Sequence, residues 1–246
     1  NAGSANNLYR NDGGVFTFVS VGVADSRNSH SASWGDYDND GDLDLHVANN
    51  GQGDGLYQND GSGAFTSVAT SAQIEDPNNG VSGTWADYDN DGNLDLHLAL
   101  SGGQTDRLFA NNGNGTFAEI GATAGVNDTG NATGAAWADY DNDGDLDLYR
   151  ANYGGPNRFY RNHGSGNNYL QVALTGTISN ETGIGTRVTA TIGIDKQIRV
   201  VDGGSGHASQ GSLPVEFGLG SATQVDALTV EWPSGYIQTL TNISAN

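Results

Sequence analysis

The chain has no cysteine and no methionine, only four prolines, and only nine lysines and arginines against 29 acidic residues. Each shortage excludes something. Without cysteine no disulfide can staple the fold, and the redox compartment cannot be read from thiols, so stability has to come from sheet packing and bound ions. A net charge of −20 with so few basic side chains argues against nucleic acid and anionic membranes as partners, because phosphate binding rests on clustered Lys and Arg. No apolar run approaches the ~18 residues that a spanning helix needs, and no signal peptide is visible. The lack of methionine even at position 1 leads us to expect a chain that begins after processing.

Much of the acidic excess is concentrated in three near-copies of one string, DYDNDGDLD at 36–44, DYDNDGNLD at 87–95 and DYDNDGDLD at 139–147. Carboxylates recur at positions 1, 3, 5 and 9, with glycine at position 6, a spacing that lets oxygen ligands converge on a hard cation from a tight loop. The expected side-chain ligands are Asp36, Asp38, Asp40 and Asp44 in the first loop, Asp87, Asp89, Asp91 and Asp95 in the second, and Asp139, Asp141, Asp143 and Asp147 in the third. Position 7 contributes a backbone carbonyl, from Asp42, Asn93 and Asp145. The pattern predicts three Ca²⁺ ions. An acidic Asx-turn without metal is the alternative, but four carboxylates packed without a cation repel one another.

These are not EF-hands, which need a bidentate Glu at position 12; Val47, Leu98 and Arg150 stand there. Leu43, Leu45 and Val47 alternate with Asp44 and His46, and Leu94, Leu96 and Leu98 do the same, which is the period of a strand. Each loop therefore reads as the tip of a β-hairpin, entered by a strand carrying Trp34, Trp85 or Trp137. His46 and His97 occupy equivalent places and read as packing residues.

Aligning the loops brings Leu8-Tyr9-Arg10-Asn11, Leu56-Tyr57-Gln58-Asn59, Leu108-Phe109-Ala110-Asn111 and Phe159-Tyr160-Arg161-Asn162 into register, with Phe16, Phe65 and Phe117 after a glycine turn in the first three. A unit of about 50 residues with four short strands is the size of a propeller blade. The W-x-D-Y-D-N-D-G-x-L-D-L string followed by N-x-L-Y-x-N and G-x-F resembles the FG-GAP/VCBS repeat, and that resemblance implies an extracellular calcium-binding propeller. Residues 6–21 supply only the last two strands of a blade, two full blades follow, and the third loop's blade reaches its third strand near Asn162. Closed propellers take four to eight blades, so the chain reads as a fragment, an unusually small ring, or a piece completed by another chain.

Beyond Asn167 the acidic loops stop and short β runs continue to Leu240. The strings 180–188 (NETGIGTRV), 203–210 (GGSGHASQ), 217–220 (FGLG) and 232–235 (WPSG) resemble the ASPIC/UnbV domain, which implies a fold more than a function. GGSGHASQ lacks the Lys-Ser/Thr pair and the following helix of a phosphate loop and reads as tight turns. Asp202, Ser205 and His207 have no nucleophile elbow and do not read as a triad. The expected fold is all-β, an incomplete or small β-propeller of about three FG-GAP-like blades over residues 1–165 followed by a β-sandwich over 166–246 that folds without calcium, with Phe217 and Trp232 in its core.

The leading functional expectation is a secreted or cell-surface, calcium-stabilised adhesion or self-assembly protein without catalysis. Its orphan strands at 6–21 and its unfinished third blade would expose β edges, whose unpaired backbone groups seek partners, so a ring or filament is expected. The alternative is a carbohydrate-binding propeller using Tyr37, Tyr88, Tyr140 and Tyr153. An enzyme is disfavoured, because the available carboxylates are committed to the loops and no open His-carboxylate metal set is visible. Sequons at Asn114, Asn127, Asn131, Asn180 and Asn242 are candidate glycan sites.

Overall fold

A computed structural model describes residues 4–19 and 22–246, so two residues of the predicted 6–21 segment, Ser20 and Val21, lie outside the described residues. The alternating and apolar segments form strands as expected. β1 (Leu8–Asn11) pairs with β2 (Phe16–Val19). β3 (Ser29–Gly35), β4 (Asp44–Asn49), β5 (Gly55–Asn59) and β6 (Phe65–Ser67) make an antiparallel four-stranded meander, followed by a single helical turn, α1 (Ala69–Ala72). β7 (Gly80–Ala86), β8 (Asp95–Leu100), β9 (Arg107–Asn111) and β10 (Phe117–Glu119) repeat the unit, again followed by one turn, α2 (Gly121–Ala124). β11 (Ala132–Ala138), β12 (Asp147–Asn152) and β13 (Arg158–Tyr160) form a three-stranded sheet. The strand counts of two, four, four and three are those expected from the repeats; the two helical turns, which close on left-handed Gln73 and Gly125, were not.

The sheets stack in chain order because the second strand of each of the first two full units is buried on both faces. Every residue of β4 and of β8 is buried. Leu45 and Val47 face Leu8, Val23 and Tyr57, while Ala48 and Leu56 share a core with Leu96, Leu98 and Leu100 of the next sheet. Ala99 and Leu108 then pack with Leu146 and Leu148 of the third. Trp34, Trp85 and Trp137 lie on β3, β7 and β11, whose contacts place them side by side in that order. Among the described residues there are six sheets and none closes on itself.

The remaining strands are β14 (Asn168–Val172), β15 (Arg187–Ile192), β16 (Asp195–Val200), β17 (Val215–Gly220), β18 (Gln224–Glu231) and β19 (Ile237–Ser244). They form one sheet in the order β16-β15-β18-β19 and a second from β14 and β17. A single core joins the two, with Phe217 fully buried at its centre and Trp232 half-buried at its margin. This region sits directly on the repeats. The glycine-rich segment after β16 lies across all three inner strands: the His207 ring is 6.4 Å from that of His30, the His207 amide donates to Ser82 Oγ at 3.1 Å, and the Ser212 amide donates to the Trp137 carbonyl at 3.0 Å. Gly134 allows this approach, since a Cβ there would lie 2.5 Å from the His207 carbonyl oxygen. The turns expected of GGSGHASQ thus serve as a plug over the inner strands.

Candidate metal centre

Each acidic loop is bent by two residues with positive φ, asparagine at position 4 (Asn39 56°, Asn90 58°, Asn142 58°) and glycine at position 6 (Gly41 102°, Gly92 100°, Gly144 89°). Asparagine tolerates the left-handed region and glycine enters it freely. The aspartate at position 9 begins the strand leaving the loop and ties three segments together. One oxygen of Asp44, Asp95 and Asp147 accepts the amide of Tyr37, Tyr88 and Tyr140, and the other accepts the amide of Asn59, Asn111 and Asn162. The Leu-Tyr strand is thereby fastened to the loop of its own unit.

Three carboxylates converge in every loop, with ligand atoms within 4.8 Å of one another: Asp36, Asp38 and Asp40; Asp87, Asp89 and Asp95; Asp139, Asp141 and Asp147. The structure brings together three of the four expected side chains per loop, leaving Asp44, Asp91 and Asp143 outside these groups. At position 7 the side chains of Asn93 and Asp145 accept hydrogen bonds from the preceding loop's asparagine, while the Asp42 amide donates to Asp40.

The residues present fit a hard cation. Asp36 is fully buried and neither of its carboxylate oxygens makes a well-formed hydrogen bond, the Gly41 amide giving only a weak one, and Asp141 Oδ1 is orphaned. Burial, reinforced by neighbouring carboxylates, pushes Asp36 up to about 6 and Asp44 to about 8. Burial also lifts Asp87 to about 7, against the opposing pull of Arg199, and holds Asp95 well above the usual carboxylate range. An all-oxygen, anionic donor set whose charged form is disfavoured without a countercharge suits calcium and offers nothing to soft metals. The third loop differs, since Arg161 reaches Asp141 at 2.7 Å and Asp143 at 3.3 Å.

A pH dependence follows for the metal-free chain. Carboxylates with raised folded-state values bind more protons folded than unfolded, so stability increases as pH falls. Asp44, Asp87 and Glu216, the last lifted to about 7 by burial, all act between pH 8 and 6.5. Below 6.5 the buried His46 and His97, depressed to about 3 by burial, oppose the trend by taking up protons in the unfolded chain. Thermal melts in chelator are expected to rise from pH 8 to 6.5 by roughly 4–8 °C, equivalent to about 2 kcal/mol, whereas melts in calcium fall, because protons compete with the ion.

The loops are wired to each other. Asn39 Nδ2 donates to the Gly92 carbonyl and Asn93 Oδ1 of the second loop, and Asn90 Nδ2 donates to the Gly144 carbonyl and Asp145 Oδ1 of the third. In the reverse direction Asn111 and Asn162 donate to the carbonyls of Tyr37 and Tyr88 in the preceding units. The C-terminal region joins the network: the Gly218 amide donates to Asp87 Oδ2 at 3.0 Å, Arg187 Nη2 donates to the Gly41 carbonyl at 2.5 Å, and Arg199 lies 3.9 Å from Asp87.

Sequence reasoning missed a second acidic register at Asp25, Asp76 and Asp128, whose spacing, the same as that of the loops, was the available signal. Arginines neutralise these groups: Arg27 pairs with Asp25, Arg107 with Asp76, and buried Arg150 with Asp106 and Asp128. Arg150, at loop position 12, therefore braces the third sheet. His46 and His97 are packing residues, fully buried edge-on to Trp85 and Trp137 at 6.2 and 6.1 Å. Of the four tyrosines expected to offer sugar contacts, Tyr37 is only 3% exposed and inaccessible, Tyr88 is half-buried, and Tyr140 and Tyr153 are exposed; Tyr37 is buried because it stacks on Trp85 of the next unit. Asp202 accepts its hydrogen bond from Gly204 and His207 contacts the Thr133 carbonyl, so no triad assembles. All five sequon asparagines are exposed.

Comparison with known proteins agrees with the repeat structure. The profile of the FG-GAP-like repeat matches residues 1–47, 36–98 and 97–150, and that of ASPIC and UnbV matches 176–246. Cartilage acidic protein 1 of Mus musculus is 28% identical over 96% of this chain and 39% of that protein, and that of Homo sapiens is 28% identical over 96% and 38%. The chain thus spans about two-fifths of the length of these relatives. Among solved structures, the V. cholerae biofilm matrix protein Bap1 aligns with 93% of this chain and 43% of its own at 12% identity, with a TM-score of 0.34 that carries no argument.

Proposed function

The chain belongs to the FG-GAP-like repeat family and ends in an ASPIC and UnbV domain, and on that premise we propose that it is a calcium-stabilised, non-catalytic structural module of an extracellular matrix or cell surface that associates with its own kind. The observation that carries the reading is the convergent acidic cluster repeated three times, in the first of which Asp36 is fully buried without a well-formed hydrogen bond to either oxygen. Such clusters hold a fold only when an ion neutralises them, and loops of this strength fill at the millimolar calcium found outside cells. The name of the relatives places those proteins in cartilage, which supports the matrix reading. Among the described residues no helix is long and apolar enough to cross a membrane.

The three loops bind the ions through their aspartates, and the wiring between loops transmits that order from sheet to sheet. Under this reading the repeats are a propeller-like arc and the C-terminal sheets a small sandwich seated on it. Light scattering tests the function: particles larger than one chain are expected in calcium and not in chelator, and a chain that stays monomeric in both removes self-association from the account.

A second reading, carbohydrate binding, draws on a different observation. A cavity of ≈ 240 Å³ between the repeats and the C-terminal sheets is lined by Trp34, Trp85 and Trp137 together with Arg199, Glu216 and Ser212. Indole faces beside hydrogen-bonding groups suit a sugar ring. A glycan array with no signal above background excludes it.

A further inference from the structure

The three acidic loops share one spacing, but the strand that closes each of them does not present the same side chain to it. The Leu-Tyr segments end on Asn59, Asn111 and Asn162, whose amides donate to the position-9 aspartates Asp44, Asp95 and Asp147. That fastening puts the residue just before each asparagine beside the loop. Those residues are Gln58, Ala110 and Arg161. Gln58 Nε2 donates to Asp38 Oδ2 at 2.6 Å, and Arg161 Nη2 pairs with Asp141 Oδ2 at 2.7 Å. Ala110 has no polar side chain to offer Asp89.

The aspartate facing this residue is the one at loop position 3, and it belongs to all three convergent groups. A candidate ligand therefore meets a neutral donor in the first loop, no donor in the second and a permanent cation in the third. Arg161 also reaches Asp143 at 3.3 Å and so bridges positions 3 and 5 of its loop. Its side chain is half-exposed, so charge rather than packing holds it there. The other arginines near the loops act differently. Arg187 donates to the Gly41 carbonyl, which lies outside the expected ligand set. Arg199 stands 3.9 Å from Asp87 Oδ2, an oxygen that already accepts the amides of Gly92 and Gly218.

We propose that Arg161 sets the affinity of the third loop by competing with the ion for Asp141, so that this loop binds calcium most weakly and fills last. The inference rests on the calcium reading above and grades its three sites. The affinity of an oxygen loop follows the charge of its ligand set, and a guanidinium on one carboxylate removes a unit of negative charge from that set. An entering ion either breaks the pair or faces a like charge across a shared carboxylate. For an exposed pair, either outcome lowers affinity by about tenfold. At intermediate calcium the first two units are then loaded and the third is not. The third loop abuts the C-terminal region, since Gly144 has no room for a side chain against the Tyr169 ring. That junction is the last part of the chain to gain its ion.

Calorimetric titration of the whole chelated chain with calcium chloride provides the test, with the variants Arg161→Ala, Arg161→Lys and Ala110→Arg. The unchanged chain is expected to take up two ions and then a third with affinity lower by about tenfold, and Asp141→Ala to delete that weak step. Arg161→Ala should strengthen the weak step by about the same factor. Arg161→Lys should leave it weak, because the charge is kept, and Ala110→Arg should create a second weak step in the second loop. Melting curves separate competition from a structural role. Arg161→Ala is expected to melt below the unchanged chain in chelator, where the arginine is the countercharge, and above it at calcium concentrations that half-fill the third loop. Melting below the unchanged chain in both conditions would make the role structural and overturn the proposal. If three ions bind and Arg161→Ala leaves every affinity as it was, the affinity-setting role is overturned while the calcium reading stands. If the unchanged chain binds no ion, the calcium reading fails and the inference falls with it.

Discussion

Chelation is expected to lower the melting temperature of the chain by about 15 °C or more. At a hundredfold excess over its dissociation constant an ion contributes about 2.7 kcal/mol of stability, and the three loops contribute accordingly. For a chain of this size each kcal/mol moves the melting point by about 2–4 °C. Twelve expected ligand aspartates in three clusters would be left to repel one another or to take up protons. The loss should extend beyond the loops, because Asp44, Asp95 and Asp147 also hold the amides of Asn59, Asn111 and Asn162, and those asparagines hold the loops of their own units and, for Asn111 and Asn162, of the preceding ones. An unchanged melt in excess chelator would remove the structural role of the ion.

Gly218→Ala should be strongly damaging to the C-terminal region. A Cβ at this position would lie 2.2 Å from Asp87 Oδ2 and 2.4 Å from the Asn90 backbone carbon, and neither the loop backbone nor a buried candidate-ligand carboxylate can yield cheaply. The Gly218 amide and carbonyl are both engaged, with Asp87 and with Gln197 Nε2. Overpacking of this kind costs about 3 kcal/mol, a fall in melting temperature of roughly 6–12 °C. The second loop should lose calcium affinity at the same time, since Asp87 is displaced, while the first and third loops keep theirs. Calorimetric titration distinguishes this from a simple core defect, in which all three sites would remain intact in the folded chain.

The convergence of the acidic loops and the strand counts were legible because their causes are local. Convergent oxygens need the D-x-D-x-D-G spacing, and Leu43, Leu45 and Val47 show the strand period within a few residues. The acidic register at Asp25, Asp76 and Asp128 was equally periodic but carries no ligand spacing, so its role emerges only from its partners, Arg27 two residues along the same segment and Arg107 and Arg150 from distant strands. Contacts across the long dimension of the chain were not legible at all. Gly218 meets Asp87 across 131 residues, and the glycine-rich segment at 203–210 rests on Ser82 and Thr133, where its turns alone gave no hint of a partner. The same long-range packing buried Tyr37 against Trp85, removing it from the surface on which its sequence position had placed it. The C-terminal region, expected to be independent of calcium, shares a hydrogen bond with a candidate ligand of the second loop and so should respond to that loop's ion.

Isothermal titration of the chelated chain with calcium chloride tests the central claim most directly. Three ions per chain are expected to bind at up to millimolar concentration, with Asp38→Ala, Asp89→Ala and Asp141→Ala each reducing the number to two and with the melting temperature recovering as the sites fill. A chain that takes up no calcium at millimolar concentration, or whose uptake is indifferent to all three substitutions, would contradict the account.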